Sequence, residues 1–241
     1  MLLKSKAIVL HNIKYSDNSF IVTMYTKELG RKSFMIKSLG SKKSKIKANV
    51  FQPLTLLNIE FEYKSNKNFQ YIKNIQIVNP SSSIIFDIHK LSIAFFWAEI
   101  LYKSILEEEA NNELFEYIYN NIQMLDVKSK GIANLNMYFV IHLTKYLGFF
   151  PNDNYTEIIK YFDIKNGSFK QIKPMHTFSM NEQSSFLLHN LIIYSKNQHE
   201  NLNIDYKYRK ILLECIVDYF SVHINNIKSI KSLSVLQEVF H

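Results

Sequence analysis

Along the first eighty residues apolar and polar positions tend to swap every second residue, whereas most of the remaining chain repeats every three to four. Residues 7–13 are rich in β-branched and aliphatic side chains, and Tyr15-Ser16-Asp17-Asn18 supplies turn formers before an extended pattern resumes over residues 20–26. After Glu28-Leu29-Gly30, residues 32–38 alternate, with Phe34 and Ile36 on one face and Ser33, Met35 and Lys37 on the other. Residues 40–47 lack apolar periodicity and read as a loop. Beyond Pro53, Leu57, Ile59 and Phe61 face one way and Asn58, Glu60 and Glu62 the other. A polar turn over residues 64–68 leads to a fifth strand over residues 70–78. Five short strands with a long loop after the third predict a five-stranded Greek-key barrel, the OB-fold.

Pro80-Ser81-Ser82-Ser83 closes this pattern and sets a domain junction, giving a barrel over residues 1–80 and a helical domain over residues 81–241. Residues 84–107 are apolar on nearly every side, including the single Trp97, and predict the central helix of the second domain. Residues 132–147 carry a helical stripe of Leu135, Tyr138, Phe139, His142, Leu143 and Tyr146, stopped by Gly148 and Pro151. His142 on that stripe reads as a core histidine. Residues 152–177 break the period, and Phe162-Asp163-Ile164 with Gly167-Ser168-Phe169 suggests a small hairpin. Helices come next over residues 181–195 and 205–225, and Leu233, Leu236 and Val239 suit a last short one. The whole is α+β: a five-stranded barrel, then an all-helical domain with a small irregular insertion.

Charge changes this picture in one place. Residues 27–47 hold eight Lys/Arg against the single acid Glu28, a net of +7 in a chain whose total is +8. Such a concentration attracts a polyanion and releases its condensed counterions. Between residues 84 and 147 the sign reverses, with eight acids against five basic residues, and the run Glu107-Glu108-Glu109 continued by Glu113 and Glu116 reads as a solvated helix surface or a face for a basic partner. One cysteine, Cys215, excludes an internal disulfide and a cysteine-based zinc cage. On its apolar stripe the thiol reads as inert. His176 and His189 stand too far apart, without companions, to argue a metal site. No P-loop, G-x-S-x-G or H-E-x-x-H pattern occurs, so no catalytic residue is assigned. The apolar run after Lys6 is too short for a signal peptide, and no run approaches membrane-spanning length.

The stretch AIVLHNIKYSDNSFIVTMYTKELGRKSFMIKSLGSKKSKIKANVFQPLTLL, residues 7–57, resembles the N-terminal domain of the bacterial RecO recombination-mediator family. The features that carry it are the opening Ala7-Ile8-Val9-Leu10, the polar turn and the strand ending at Thr26, and Gly30 beside a basic residue. They continue with the lysine-rich loop of residues 37–44 and with Phe51-Gln52-Pro53. A looser likeness runs through the helical remainder, including the lysine-serine pattern of residues 227–233. The resemblance implies a non-enzymatic, cytoplasmic and nucleoid-associated protein without cofactor. Such a protein binds single- and double-stranded DNA, anneals complementary strands, and works with RecR to load recombinase onto strands covered by single-strand-binding protein. Many members carry a four-cysteine zinc module in the second domain; here residues 149–179 contain no cysteine.

On this reading the DNA-binding candidates are Arg31, Lys32, Lys37, Lys42, Lys43, Lys45 and Lys47, with Tyr15, Tyr25 and Phe34 as possible base-stacking aromatics. Core packing is the alternative for each aromatic, above all Phe34, whose alternation partner Ile36 reads as buried. The acidic tail of single-strand-binding protein, which ends in an aromatic residue, needs an apolar pocket rimmed by cations, for which Lys128, Lys130, Lys207, Arg209 and Lys210 are candidates. The alternative from another class is a protein-interaction adaptor with incidental nucleic-acid binding.

Overall fold

The structure, a computed structural model, describes residues 1–17, 19–37, 48–197 and 204–240. Five antiparallel strands come first: β1 (Leu2–Ser16), β2 (Ser19–Thr26), β3 (Gly30–Lys37), β4 (Leu56–Glu62) and β5 (Tyr71–Ile77). They lie in the order β3-β2-β1-β4-β5, with Ala7 opposite both Thr26 and Leu57. The ends of that order meet. Met35 N donates to Gln70 O (3.0 Å) and Gln70 N to Ser33 O (2.9 Å), so the sheet closes into the expected OB-like barrel.

The alternation seen along the chain becomes the barrel interior. Ala7, Val9, Val22, Met24, Phe34, Leu57, Ile59 and Phe61 point inward and are buried, with Phe34 edge-on to Phe61 at 5.2 Å. Residues 7–10 depart from strict alternation because β1 is buried on both faces: Ala7 and Val9 fill the barrel, and a helix packs on β1 from outside.

That helix, α1 (Ile88–Ser104), matches the expected apolar segment, with Ile93, Phe96, Trp97, Ile100 and Leu101 buried. Its cap is Asp87. The Asp87 carboxylate accepts from His89 N and Lys90 N, satisfying two of the amides that a helix start leaves without partners. Ser82 instead caps a short 3₁₀ turn, Ser83–Ile85. A second helix, α2 (Asn112–Val127), takes in Glu113 and Glu116 of the acidic stretch, while Glu107, Glu108 and Glu109 precede it in a segment without regular structure. Asp126 near its end ties down the connecting segment, accepting from Ser82 Oγ (3.0 Å) and Ser83 N (2.6 Å). The buried Lys90 ammonium donates to the Asp126 carbonyl (2.6 Å) and Ser83 Oγ (2.7 Å). The composition changes at Pro80, and the compact unit that contains the barrel runs Met1–Val127, with α1 packed on β1 and Phe115 of α2 against Tyr25 of β2.

The second compact unit, Lys128–His241, holds α3 (Ile132–Tyr146), a hairpin of β6 (Tyr161–Asp163) and β7 (Ser168–Lys170), α4 (Glu182–Asn197), α5 (Tyr206–His223) and α6 (Ser232–Val239). His142, half-buried and not fully in the core, stacks on Tyr138 at 4.6 Å and meets Phe150 at 5.5 Å. The hairpin turn is organised by Asp163, whose carboxylate accepts from Lys165 N, Asn166 N and the Asn166 side chain, with Gly167 at φ +61° completing the reversal.

The cysteine-free insertion is held by rings. Phe162 and Phe169 meet at 5.0 Å, Phe162 and Tyr219 at 5.6 Å, and Tyr155 stacks on His189 at 4.5 Å. Phe149 stacks on His223, and the Tyr219 hydroxyl donates to the Phe149 carbonyl (2.6 Å). Each such pair contributes about 0.5–1.5 kcal/mol beyond its buried area.

Candidate nucleic-acid interface

The turn between β2 and β3 presses against the segment that comes after α1. Gly30 sits at φ +64° with its Cα facing the backbone of Glu108 and Glu109, where a Cβ would collide with the Glu109 carbonyl. Thr26 locks this turn, its hydroxyl donating to Gly30 O (2.8 Å) and accepting from Leu29 N (3.3 Å). Close backbone approach of this kind requires glycine.

That approach brings the acidic stretch onto the basic one. Lys27 Nζ donates to Glu116 Oε1 at 2.7 Å, a hydrogen bond that raises the lysine and lowers the carboxyl from their ordinary pKa values. Lys32 Nζ donates to Glu108 Oε2 at 2.6 Å. The Arg31 guanidinium donates to the carbonyls of Tyr102 (2.7 Å) and Ile105 (2.6 Å) at the end of α1, and lies 4.6 Å over the Tyr102 ring. A cation at a helix C-terminus satisfies carbonyls that have no helical donor and offsets the negative end of the macrodipole. Through Nη1, Arg31 is therefore a brace between β3 and α1.

Two aromatic candidates are corrected by their burial. Phe34 is fully buried inside the barrel, and Tyr25 is 1% exposed between the outer face of β2 and Phe115 of α2, with its ring 6.0 Å from that of Phe115. Burial first, then the charge of Glu107, pushes the Tyr25 hydroxyl up to about 12 despite its bond to the Asn111 carbonyl. Neither ring has a free face for a base. Tyr15, near the end of β1, is 65% exposed, and Lys37 at the end of β3 is exposed with its ammonium 5.4 Å from the centre of the Tyr71 ring. Lys42, Lys43, Lys45 and Lys47 lie outside the described residues.

Barrel closure places the β4–β5 turn beside β3, which strand alternation alone could not reveal. The buried Gln70 side chain holds that turn through three bonds: it accepts from Lys64 N (2.9 Å) and donates to the carbonyls of Lys64 (3.0 Å) and Lys67 (2.9 Å). A cleft of about 350 Å³ opens between the turn, β3 and Glu108.

In the second unit, Arg209 and Lys210 on α5 rim a small cleft whose walls include Met137 of α3, Leu213 of α5, and Leu236 and Phe240 at α6. The Arg209 Nε is buried without a hydrogen-bond partner among the described residues. Lys128, Lys130 and Lys207 do not line this cleft.

The residues at the insertion do not suit a zinc ion. Among the described residues no three His, Cys, Asp or Glu side chains come together as a metal group. His176 faces Asp163 (3.4 Å) and His189 faces Asp153 (2.6 Å), as separate pairs. Burial would raise Asp163, but bonds from Asn166 and the charge of His176 hold it below the usual carboxylate range. Burial, with Asp218 and Glu214 nearby, pushes the Cys215 thiol up to about 12, so it stays protonated and unreactive. Among the described residues no helix is long and apolar enough to cross a membrane.

Comparison with known proteins accounts for both halves of the chain. Residues 1–81 match the family described as Recombination protein O N terminal, and residues 85–232 the family described as Recombination protein O C terminal. Proteins named DNA repair protein RecO align with it from end to end, covering all of both chains. The one from Flavobacterium psychrophilum is 37% identical over 242 residues, that from Bacteroides fragilis (strain YCH46) 35% over 241, and that from Azobacteroides pseudotrichonymphae 34% over 240. With an OB-like barrel carrying a dense basic segment, helices behind it, and likeness along its whole length, this chain belongs to the RecO family of DNA repair proteins.

Proposed function

We propose that this chain is a non-catalytic recombination mediator that binds single- and double-stranded DNA, anneals complementary strands, and with RecR helps load recombinase onto strands covered by single-strand-binding protein. The observation that carries the reading is the net charge of +7 within residues 27–47, joined directly to the barrel. Lys27, Arg31 and Lys32 are engaged inside the unit, so the weight falls on Lys37 and on Lys42, Lys43, Lys45 and Lys47. Their chemistry is electrostatic: cations between two phosphate backbones reduce the repulsion that keeps pairing bases apart.

The test is an oligonucleotide-binding and strand-annealing titration in salt. Changing Lys42, Lys43, Lys45 and Lys47 together to alanine should flatten the log–log salt slope for single strands by about 3 and slow annealing. An unchanged slope and annealing rate would sink this reading. The internal use of Lys27, Arg31 and Lys32 favours a second one, an adaptor working through protein contacts, which predicts partner binding that survives the four substitutions.

The cleft rimmed by Arg209 and Lys210 supports a site for the tail of single-strand-binding protein, since its apolar walls suit a terminal aromatic ring and its cations suit carboxylates. Arg209→Ala with Lys210→Ala should weaken binding of an acidic tail peptide at least about tenfold, on the scale of a lost charge-assisted contact. Oligonucleotide affinity should hold.

A further inference from the structure

We propose that the cleft between β3, the β4–β5 turn and the segment after α1 binds one phosphodiester of a single nucleic-acid strand, and that Glu108 is the resident counter-ion the phosphate displaces. The inference rests on the nucleic-acid reading above and goes beyond it, because it assigns a defined pocket and a competitor. The cleft is lined by three cations, Arg31, Lys32 and Lys67, and by a single acid, Glu108, so it remains positive with Glu108 in place. Its volume of about 350 Å³ is within the ~300–1,000 Å³ range of small-ligand sites.

The Lys32–Glu108 pair is asymmetric. The lysine side chain is 13% exposed, held along β3, while the glutamate side chain is 76% exposed on a segment without regular structure. A phosphate oxygen can therefore take the carboxylate's place without moving Lys32, and the half-buried ammonium keeps an anionic partner throughout. Arg31 stays on its two carbonyls as a wall of the cleft. The second contact is Lys67, on the turn that Gln70 holds rigid, which lowers the ordering cost of binding. Phe69 lines the same cleft and is 36% exposed, enough to offer a ring to an unpaired base. A base within a duplex cannot reach it, so the pocket selects single strands.

The experiment measures binding of a labelled oligothymidine and of a duplex of equal length by fluorescence anisotropy, using the full chain and its Glu108→Gln, Lys67→Ala and Phe69→Ala variants. Emission of Trp97, buried in α1, reports that the barrel unit is folded. Removing the competing charge in Glu108→Gln should tighten single-strand binding about two- to fivefold, the range of one contested surface ion pair. Lys67→Ala should weaken it and reduce the salt slope by about 0.7. Phe69→Ala should weaken single-strand binding at least about fivefold and leave the duplex unchanged. If all three folded variants bind both probes as the parent does, the cleft is overturned and the mediator reading stands. If the parent binds neither probe in dilute salt, both fall.

Discussion

Both compact units pack rings between sheet and helix, but what dominates the rest of the seam differs. In the first, the β2–β3 region is tied by charge to α2 (Lys27 to Glu116), to the segment between the helices (Lys32 to Glu108) and to the carbonyls ending α1 (Arg31). In the second, rings dominate: Phe162 and Phe169 meet within the β6–β7 hairpin, Phe162 packs on Tyr219 of α5 and Phe169 edge-on to His189 of α4, on which Tyr155 also stacks. A charged seam contains groups that can change partner, because a phosphate satisfies a lysine as well as a carboxylate does. An aromatic seam has no exchangeable member and loses packing outright when one ring goes. The unit whose seam can exchange is the one that carries the basic segment.

The largest test of this contrast is Phe169→Ala. Phe169 is 1% exposed and meets Phe162, Tyr155 and His189, so its truncation should cost the second unit about 3–5 kcal/mol. Urea unfolding followed by near-ultraviolet circular dichroism should show that loss, while the Trp97 emission transition stays in place. A cost below about 1 kcal/mol would mean that the rings are not what holds the insertion.

Arg31→Met is the corresponding cut in the charged seam. It keeps much of the apolar stem and strips two carbonyls of their donor, at about 1.5–3 kcal/mol, read as an earlier Trp97 transition. If Arg31 contacts phosphate rather than bracing α1, DNA affinity will fall and stability will not. Gly30→Ala comes next, at about 1–3 kcal/mol, from a left-handed backbone and a Cβ directed into the Glu109 carbonyl. A silent result would show that the acidic segment does not rest on this turn.

The smallest effect is a pH dependence. Burial, and then the charge of Arg31, lowers His11 below its ordinary pKa of 6.5, with Glu99 acting in the opposite sense. Its ring meets Tyr102, the residue whose carbonyl Arg31 holds. Between the folded pKa and 6.5 the unfolded chain takes up a proton that the folded one refuses, so stability present above pH 6.5 declines as pH falls through that window. His11→Asn should flatten the decline in the Trp97 urea midpoint between pH 7.5 and 5.5.

Much of the fold is legible along the chain because strand and helix periods differ. Leu57, Ile59 and Phe61 announce an inward face two residues at a time, and the structure has all three buried. Gly148 and Pro151 mark where α3 must stop, and Asp163 to Gly167 mark a turn, because these are local conformational preferences. The acidic patch is legible as charge, but α2, which carries Glu113 and Glu116, has a buried face of Leu114, Phe115, Ile118, Tyr119 and Ile122 that the charges obscure. Missing that face, one reads Tyr25 as a surface aromatic on the outside of a strand. With α2 in place it is core.

What the sequence determined alone was the order of elements, the inward positions of the barrel, and the concentration of positive charge in residues 27–47. These arise from periodicity, turn chemistry and composition, each confined to a short window of chain. Only the tertiary structure decided which cations are occupied, since the partners of Lys27, Arg31 and Lys32 come from some seventy to ninety residues further along. It also set the β4–β5 turn against β3 and filled a cysteine-free insertion with rings. Such pairings depend on closing a barrel and folding helices over it, and no local pattern encodes which distant side chain will arrive.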